Sequence, residues 1–365
     1  MAKPIDIAEL DFRMKGTSAI KRDDIVYYSV KEDPFRLYGF YNPTAEDCFK
    51  RLPDDVAEAT NHGVAELYRC TAGGRARFST DSDCVVIRAK LPRIHRMYHA
   101  TLQMSAGFDL YLDDPVSGRS VFYDIFKPPY DMTDNYTAII NFGERSTKYI
   151  TINCPLYGHV SELSIGLCEG ASLGEGASYR NEKPVIFYGS SITQGGCASR
   201  SGIAYPAIIS RRLNIDYINL GFSGNGKAEE AIVNYMAGLD ASVFVSDYDH
   251  NAPDDEYLRN THFRMYEMIR AVKPDIPYVM ISRPDFCKNK AKVNSSVRRR
   301  QVILDSFHKA YLELGDKNVY FIDGEGFFNG EYADCCTVDD THPTDFGMVC
   351  MADTIGNVLR KIDIK

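Results

Sequence analysis

Long apolar runs are missing from this sequence, and no stretch approaches the ~18 residues that a membrane-spanning helix needs, so no such helix is expected. The opening residues, MAKPIDIAELDFRMKG, carry charges throughout and contain no apolar segment of the secretory kind, which makes the cytosol the expected location. Positive charge is not in excess either: 42 Lys and Arg stand against 50 Asp and Glu, for a net charge of −8. That balance argues against a protein that neutralises nucleic-acid phosphates or lies on an anionic membrane. The run Arg298, Arg299, Arg300 reads as a solvated helix face. The ten cysteines form no C-x-x-C pair, and the adjacent Cys335 and Cys336 are poorly placed to ligate one metal together. In a cytosolic chain they stay reduced and read for the most part as small buried hydrophobes rather than metal ligands.

What is present is a 365-residue chain, 44% hydrophobic and 25% charged, of a length that suggests two domains. Residues 1–175 read as β structure. ELYRC (66–70), ARFST (76–80), DCVVIRAKL (83–91), FDLYL (108–112), RSVFYDIF (119–126) and KYITINCPL (148–156) are short and rich in β-branched and aromatic residues. Turn formers such as TAGG (71–74) and DDPVSG (113–118) separate them, which points to an all-β sandwich or barrel. EGASLGEGASYRNEK (169–183) has little to bury and reads as a linker. From residue 176 to 365 the pattern alternates. The strands are PVIFYG, DYINLG, ASVFVSD, IPYVMIS and NVYFID; helical patterns lie at 204–213, 229–239, 255–272, 297–314 and 346–362. Five strands alternating with helices predict a doubly wound parallel sheet of the flavodoxin-like kind, with the ligand site beyond the carboxyl ends of its strands.

Four loops fall at those ends. GSSITQGG (189–196) places a serine on a tight strand-to-helix turn, a position that also suits a helix cap; it lacks the Lys-Ser/Thr ending of a phosphate loop. NLGFSGNGK (219–227) has glycines that permit close backbone approach, and DYDHNAPDD (247–255) is dense in polar side chains. VDDTHPTDFG (338–347) sets Asp339 three residues before His342, a spacing at which a carboxylate on a turn can orient an imidazole.

These loops resemble the ordered sequence blocks of the SGNH (GDSL-like) hydrolases. GSSIT (189–193) is similar to the family's first block and places its nucleophile on Ser191, whose amide would be one oxyanion donor. NLGFSGNG (219–226) places the oxyanion glycine on Gly224, DYDHNAP (247–253) the oxyanion asparagine on Asn251, and DDTHP (339–343) the triad partners on Asp339 and His342. GFDLY (107–111) resembles the G-x-D-L-Y motif of a β-rich domain that precedes one subgroup of these hydrolases. Two positions depart from the pattern. Ser190 stands where the commonest form has aspartate, and the third block lacks its usual G-x-N-D form, which leaves Asp249 or His250 as alternative contributors.

The resemblance implies a cofactor-free serine esterase acting through an acyl-enzyme; the lack of a long apolar lid segment favours a small-molecule or carbohydrate-like ester with a short acyl or acetyl group as substrate. The same residues also suit an acyltransferase. A metal-dependent phosphoesterase built on Asp247, Asp249, His250 and His342 is a further alternative, and a binding module with a vestigial triad the last. His95, His99 and His308 read as structural or surface residues. Tyr111, Phe122, Tyr123, Tyr130, Tyr136 and Tyr157 are either core or the wall of a sugar or acyl pocket.

Overall fold

The computed structural model describes residues 22–284, 286 and 290–364, together with Leu10, Asp11 and Ile20. Its second half is built on a five-stranded parallel sheet of β13 (Val185–Gly189), β14 (Tyr217–Gly221), β15 (Val243–Asp247), β16 (Tyr278–Ile281) and β17 (Val319–Ile322), in the order β14-β13-β15-β16-β17. All five residues of β13 are buried, as the apolar run at 184–189 predicts for a strand covered on both faces. Its side chains alternate between two cores. Ile186 and Tyr188 join the core formed with α6 (Glu230–Gly238), α7 (Asp255–Val272) and α8 (Lys290–His308). Val185 and Phe187 join the core formed with α5 (Tyr205–Leu213) and α9 (Asp345–Leu359). Connections leave the first strand toward opposite edges, so β13 and β15 flank the topological switch point where such sheets bind ligands. Among the described residues, no helix is long and apolar enough to cross a membrane.

The first half is a pair of packed antiparallel sheets. One holds β1 (Ile25–Ser29), β4 (Cys84–Lys90), β8 (Asn135–Asn141) and β11 (Glu162–Cys168). The other holds β2 (Arg36–Tyr38), β3 (Arg75–Thr80), β6 (Phe108–Asp113), β7 (Ser120–Phe126), β9 (Lys148–Asn153) and β12 (Leu173–Glu175). Alternate residues of each (Val85, Ile87 and Ala89 from β4; Phe108 and Leu110 from β6; Ile150 and Ile152 from β9) interdigitate in a third core. A small ribbon of β5 (Arg93–Ile94) and β10 (Gly158–His159) stands beside them.

The other face of β3, β6 and β9 carries Arg75, Arg77, Asp109, Tyr111, Asp113, Thr151 and Asn153, and all seven are buried. Part of this polar face is satisfied within the sheet: Arg77 pairs with Asp113 at 3.0 Å, and the Thr151 hydroxyl donates to Asp113 at 2.6 Å. The rest reaches the second half. Arg75 pairs with Asp216. Asp109 accepts from Gly202 N–H at 2.7 Å, from Arg200 at 3.0 Å and from Asn153 at 2.8 Å. Arg51, likewise buried, donates to the carbonyls of Asn219 and Gly221 on β14. The two halves therefore share a desolvated, hydrogen-bonded boundary.

Three expectations are corrected. ELYRC is not a strand: Asn61 caps the helix α2 (His62–Leu67) by accepting the Val64 N–H at 2.9 Å, and beyond it Cys70 alone bridges to His159. Here a local cap overrides the β-like composition. The stretch 169–183 is more than a linker, since β12 pairs with β3 and the Tyr179 ring stacks under Arg77 at 4.1 Å. The pattern at 297–314 is one helix beginning at Lys290, which ends in a π-helical segment, Lys309–Glu313.

Replacing Asp109 by Ala strands the Arg200 guanidinium and is expected to cost about 3–5 kcal/mol in urea unfolding; an unchanged midpoint would remove this carboxylate from the structural account. His262 gives a second expectation. Burial pushes its imidazole down to about 3, and it lies stacked on Tyr248. Above its unfolded value of about 6.5 neither state is protonated, so it contributes nothing there; below that pH the unfolded chain takes up a proton that the folded chain refuses. Stability should fall as pH drops from about 6.5 toward 3. His262→Leu should flatten that limb by up to one proton in denaturation measured across pH.

Candidate active site

The turn after β13 is shaped by close packing. A Cβ on Gly189 would lie 2.1 Å from Thr193 Oγ1 and 2.3 Å from the Asp247 carbonyl, so only glycine fits. Ser190 then caps α4 (Ser191–Gln194), its Oγ accepting from Ile192 N–H at 3.1 Å and its own N–H donating to the Asp247 carbonyl at 3.2 Å. Serine at 190 thus holds the turn as a helix cap. Beneath it, the Thr193 and Tyr205 hydroxyls both reach the Asp247 carboxyl at 3.2 Å. Burial, and then the charge of Asp249, push that carboxyl well above the usual range and favour its neutral form.

Ser191, the first residue of this short helix, sends Oγ to within 2.9 Å of His342 Nε2. His342 Nδ1 lies 2.7 Å from Asp339 Oδ2, while Asp339 Oδ1 accepts the backbone N–H groups of His342 at 2.7 Å and Thr341 at 3.2 Å. Burial works against the Asp339 charge, but these bonds from His342 and Thr341 outweigh it and hold the carboxyl below the ordinary range. An ionised carboxylate only accepts, so Nδ1 is the donor and Nε2 is left as the acceptor facing Ser191. The turn is closed by a bridge from Thr337 to Pro343 and by Asp340 in the left-handed region, at φ 67°. Thr344 then caps α9.

The other two loops close around this turn. Phe222 N–H donates to the Gly189 carbonyl at 3.0 Å, and Asn251 Nδ2 donates to the Phe222 carbonyl at 2.9 Å, which leaves one Asn251 amide proton for another acceptor. Ser223, Asn225 and Gly226 spend their N–H groups on Gln194 Oε1 and the Phe222 carbonyl. Gly224, at φ 69°, sits beside open space. Neither its N–H nor that of Ser191 has an acceptor among the described residues. Asp249 is buried and accepts from Arg283 N–H at 3.1 Å; His250 follows it on a 3₁₀ turn, half-buried. Among the described residues, His342 groups at metal-ligand range with His99 and Cys197, and not with Asp247, Asp249 and His250, the set that a metal phosphoesterase needs.

Two neighbours come from the first half: His99, which the sequence reads as structural or surface, and Tyr157, which it reads as core or pocket wall. His99 Nε2 stands 3.4 Å from Asp339 Oδ2, so that oxygen lies between two imidazoles. The Tyr157 hydroxyl abuts Gly196, where a Cβ would also lie 3.3 Å from His342. Neither position carries a local motif that would have announced it. Of the other aromatic candidates, Tyr111 and Tyr136 are buried, whereas Phe122, Tyr123 and Tyr130 are exposed. Cys197, at φ 67°, completes the surroundings; burial, and then the Asp339 charge, push its thiol up to about 11.

Comparison with known proteins agrees with this architecture. Residues 182–360 match the model of the GDSL-like lipase/acylhydrolase family, and residues 25–173 match the GxDLY model, described as the N-terminus of SGNH-type esterases. A GDSL-like lipase structure from Bacteroides ovatus superposes with a TM-score of 0.83 at 26% identity, covering 93% of this chain and 99% of its own. A salicylyl-acyltransferase from a tetracycline biosynthetic pathway superposes at 0.73 and 17% identity, covering 94% and 100%. A family two carbohydrate esterase from Clostridium thermocellum, solved with cellohexaose, does so at 0.60 and 14%, covering 90% and 98%. A search of curated proteins finds no match.

The hydrogen-bond pattern around His342 predicts a specific effect of Asp339→Asn. The amide oxygen can keep the two backbone N–H groups, which turns an NH2 toward Nδ1 and moves the ring proton to Nε2. Nitrogen-15 NMR of the imidazole should show Nδ1–H in the wild type and Nε2–H in the variant, with little change in melting temperature; the same tautomer in both would break the assignment.

Proposed function

This chain belongs to the GDSL-like lipase/acylhydrolase family, in the group with the GxDLY N-terminal domain, and on that premise we propose that it is a serine esterase using Ser191, His342 and Asp339. The observation that carries the proposal is the unbroken relay Ser191 Oγ–His342 Nε2, His342 Nδ1–Asp339 Oδ2, at 2.9 and 2.7 Å. As Ser191 attacks an ester carbonyl, His342 takes its proton, and Asp339 stabilises the imidazolium without itself being protonated. The amides of Ser191 and Gly224 and the remaining proton of Asn251 Nδ2 receive the oxyanion. His342 then protonates the leaving alcohol, and water activated by the same imidazole releases the acyl group. No metal or organic cofactor enters these steps.

For the substrate we favour a short acyl or acetyl ester of a small or carbohydrate-like alcohol. The support is the whole-chain likeness to a carbohydrate esterase. A second reading, acyl transfer to a specific alcohol, draws on the likeness to the salicylyl-acyltransferase and needs the same triad with water held off the acyl-enzyme.

Hydrolysis of p-nitrophenyl acetate tests the proposal. Ser191→Ala should fall to the uncatalysed rate, and Asn251→Ala should lose about 10²–10³ in kcat, as expected for one oxyanion donor. Full activity in Ser191→Ala would end the serine mechanism. Accumulation of acyl-enzyme that only added alcohols discharge would favour the transferase.

A further inference from the structure

Away from Ser191, a second group of chemically capable side chains meets in the first half. Cys70 forms an isolated antiparallel bridge with His159; β10, which ends at His159, pairs with β5; and His95, next after β5, donates its N–H to the Tyr157 carbonyl at 3.0 Å. Three separate pieces of chain are thereby locked side by side. The Cys70 sulfur and one nitrogen from each imidazole all lie within 4.8 Å of one another, with the rings 5.5 Å apart. Cys70 is a free, fully buried thiol. The Nε2 atoms of both histidines are sealed from solvent and make no hydrogen bond among the described residues.

Packing does not account for this. A buried ring nitrogen with neither donor nor acceptor partner costs about 1–3 kcal/mol, and here two occur together beside a thiol. One thiolate and two imidazoles are the ligands that a borderline-soft divalent cation selects, and three such ligands with a water complete a tetrahedron. We propose that Cys70, His95 and His159 form a structural binding site for a divalent cation of the zinc class. On binding, the Cys70 thiol gives its proton to solvent and its sulfur bonds the metal; each histidine gives the lone pair of one ring nitrogen. Glu66, ion-paired with Arg93 at 2.5 Å, is a carboxylate whose charge acts on the cluster, as do the cations Arg51, Arg69 and Arg93. The thiolate offsets one of the two positive charges of the metal; Glu66 is already paired with Arg93.

The site would staple β10, which ends at His159, and so fix the preceding Tyr157, whose carbonyl receives the His95 N–H and whose hydroxyl abuts Gly196 beside His342. It is separate from the second grouping, His99, Cys197 and His342, where a metal would take the imidazole from Ser191.

That separation sets the experiment. The full-length protein, stripped with a chelator, is titrated with zinc chloride and, in parallel, with cobalt(II). The expected result is one tightly held zinc per chain, a raised melting temperature, unchanged p-nitrophenyl acetate hydrolysis at one equivalent, and a thiolate-to-cobalt charge-transfer band. Binding and band should be lost in Cys70→Ser and kept in Cys197→Ser. His95→Gln, at a half-buried position, gives the same reading should Cys70→Ser fail to fold. Absence of tight binding overturns the proposal. So does binding that survives Cys70→Ser and His95→Gln, or that disappears in Cys197→Ser with loss of activity at one equivalent, since that metal belongs to the active-site grouping.

Discussion

One buried carboxylate, Asp109, ties the two halves of this protein together at the loop that follows the Ser191 turn. Its oxygens receive Asn153 from the sheet it stands on, and Arg200 and the Gly202 N–H from the loop leading out of the Ser191 turn. Removing a carboxylate from water is costly and is offset here because every partner is itself fixed. The same loop is held from its other side: Ser199 gives both its N–H and its hydroxyl to Asp345, the first residue of α9, and its carbonyl accepts from the Thr101 hydroxyl. Ser191 and the D-x-x-H turn that ends at α9 are thus referenced to one another through the β-rich half.

This explains why a sheet face that would ordinarily meet solvent is both polar and buried. In the register of β6 and β9, Asp109 lies opposite Asn153 and Tyr111 opposite Thr151, so the outward positions form a lattice of donors and acceptors. An apolar face would associate with the second half less selectively; a polar one leaves groups unpaired in any other docking. Arg51 does the same work at β14, with its guanidinium over the Phe222 ring at 4.4 Å and its donors on the strand's last carbonyls. Phe222 is the residue against which Asn251 is held.

Much of the parallel half was legible because each strand is buried on both faces and each helix on one, so composition and period carried the signal directly. The D-x-x-H spacing was legible for a similar reason: residues 339 and 342 need only a turn to meet. What escaped was set by partners distant in sequence or by a single atom. The stretch 66–70 looks like a strand until the Asn61 side chain caps a helix that runs into it. Tyr179 looks like part of a linker because the arginines it covers lie a hundred residues earlier. His99 carries no motif, since its place beside Asp339 depends on how two domains dock.

That last contact changes how the first half should be regarded. Asp339 Oδ2, which meets His342 Nδ1, also faces His99. Its other oxygen is committed to backbone N–H groups, so Asp339 has little freedom to turn away from either imidazole. The β-rich domain therefore does more than shelter one side of the sheet. Through Asp109 it fixes the loop behind Ser191, through Tyr157 it backs Gly196, and through His99 it reaches the Asp339 carboxylate.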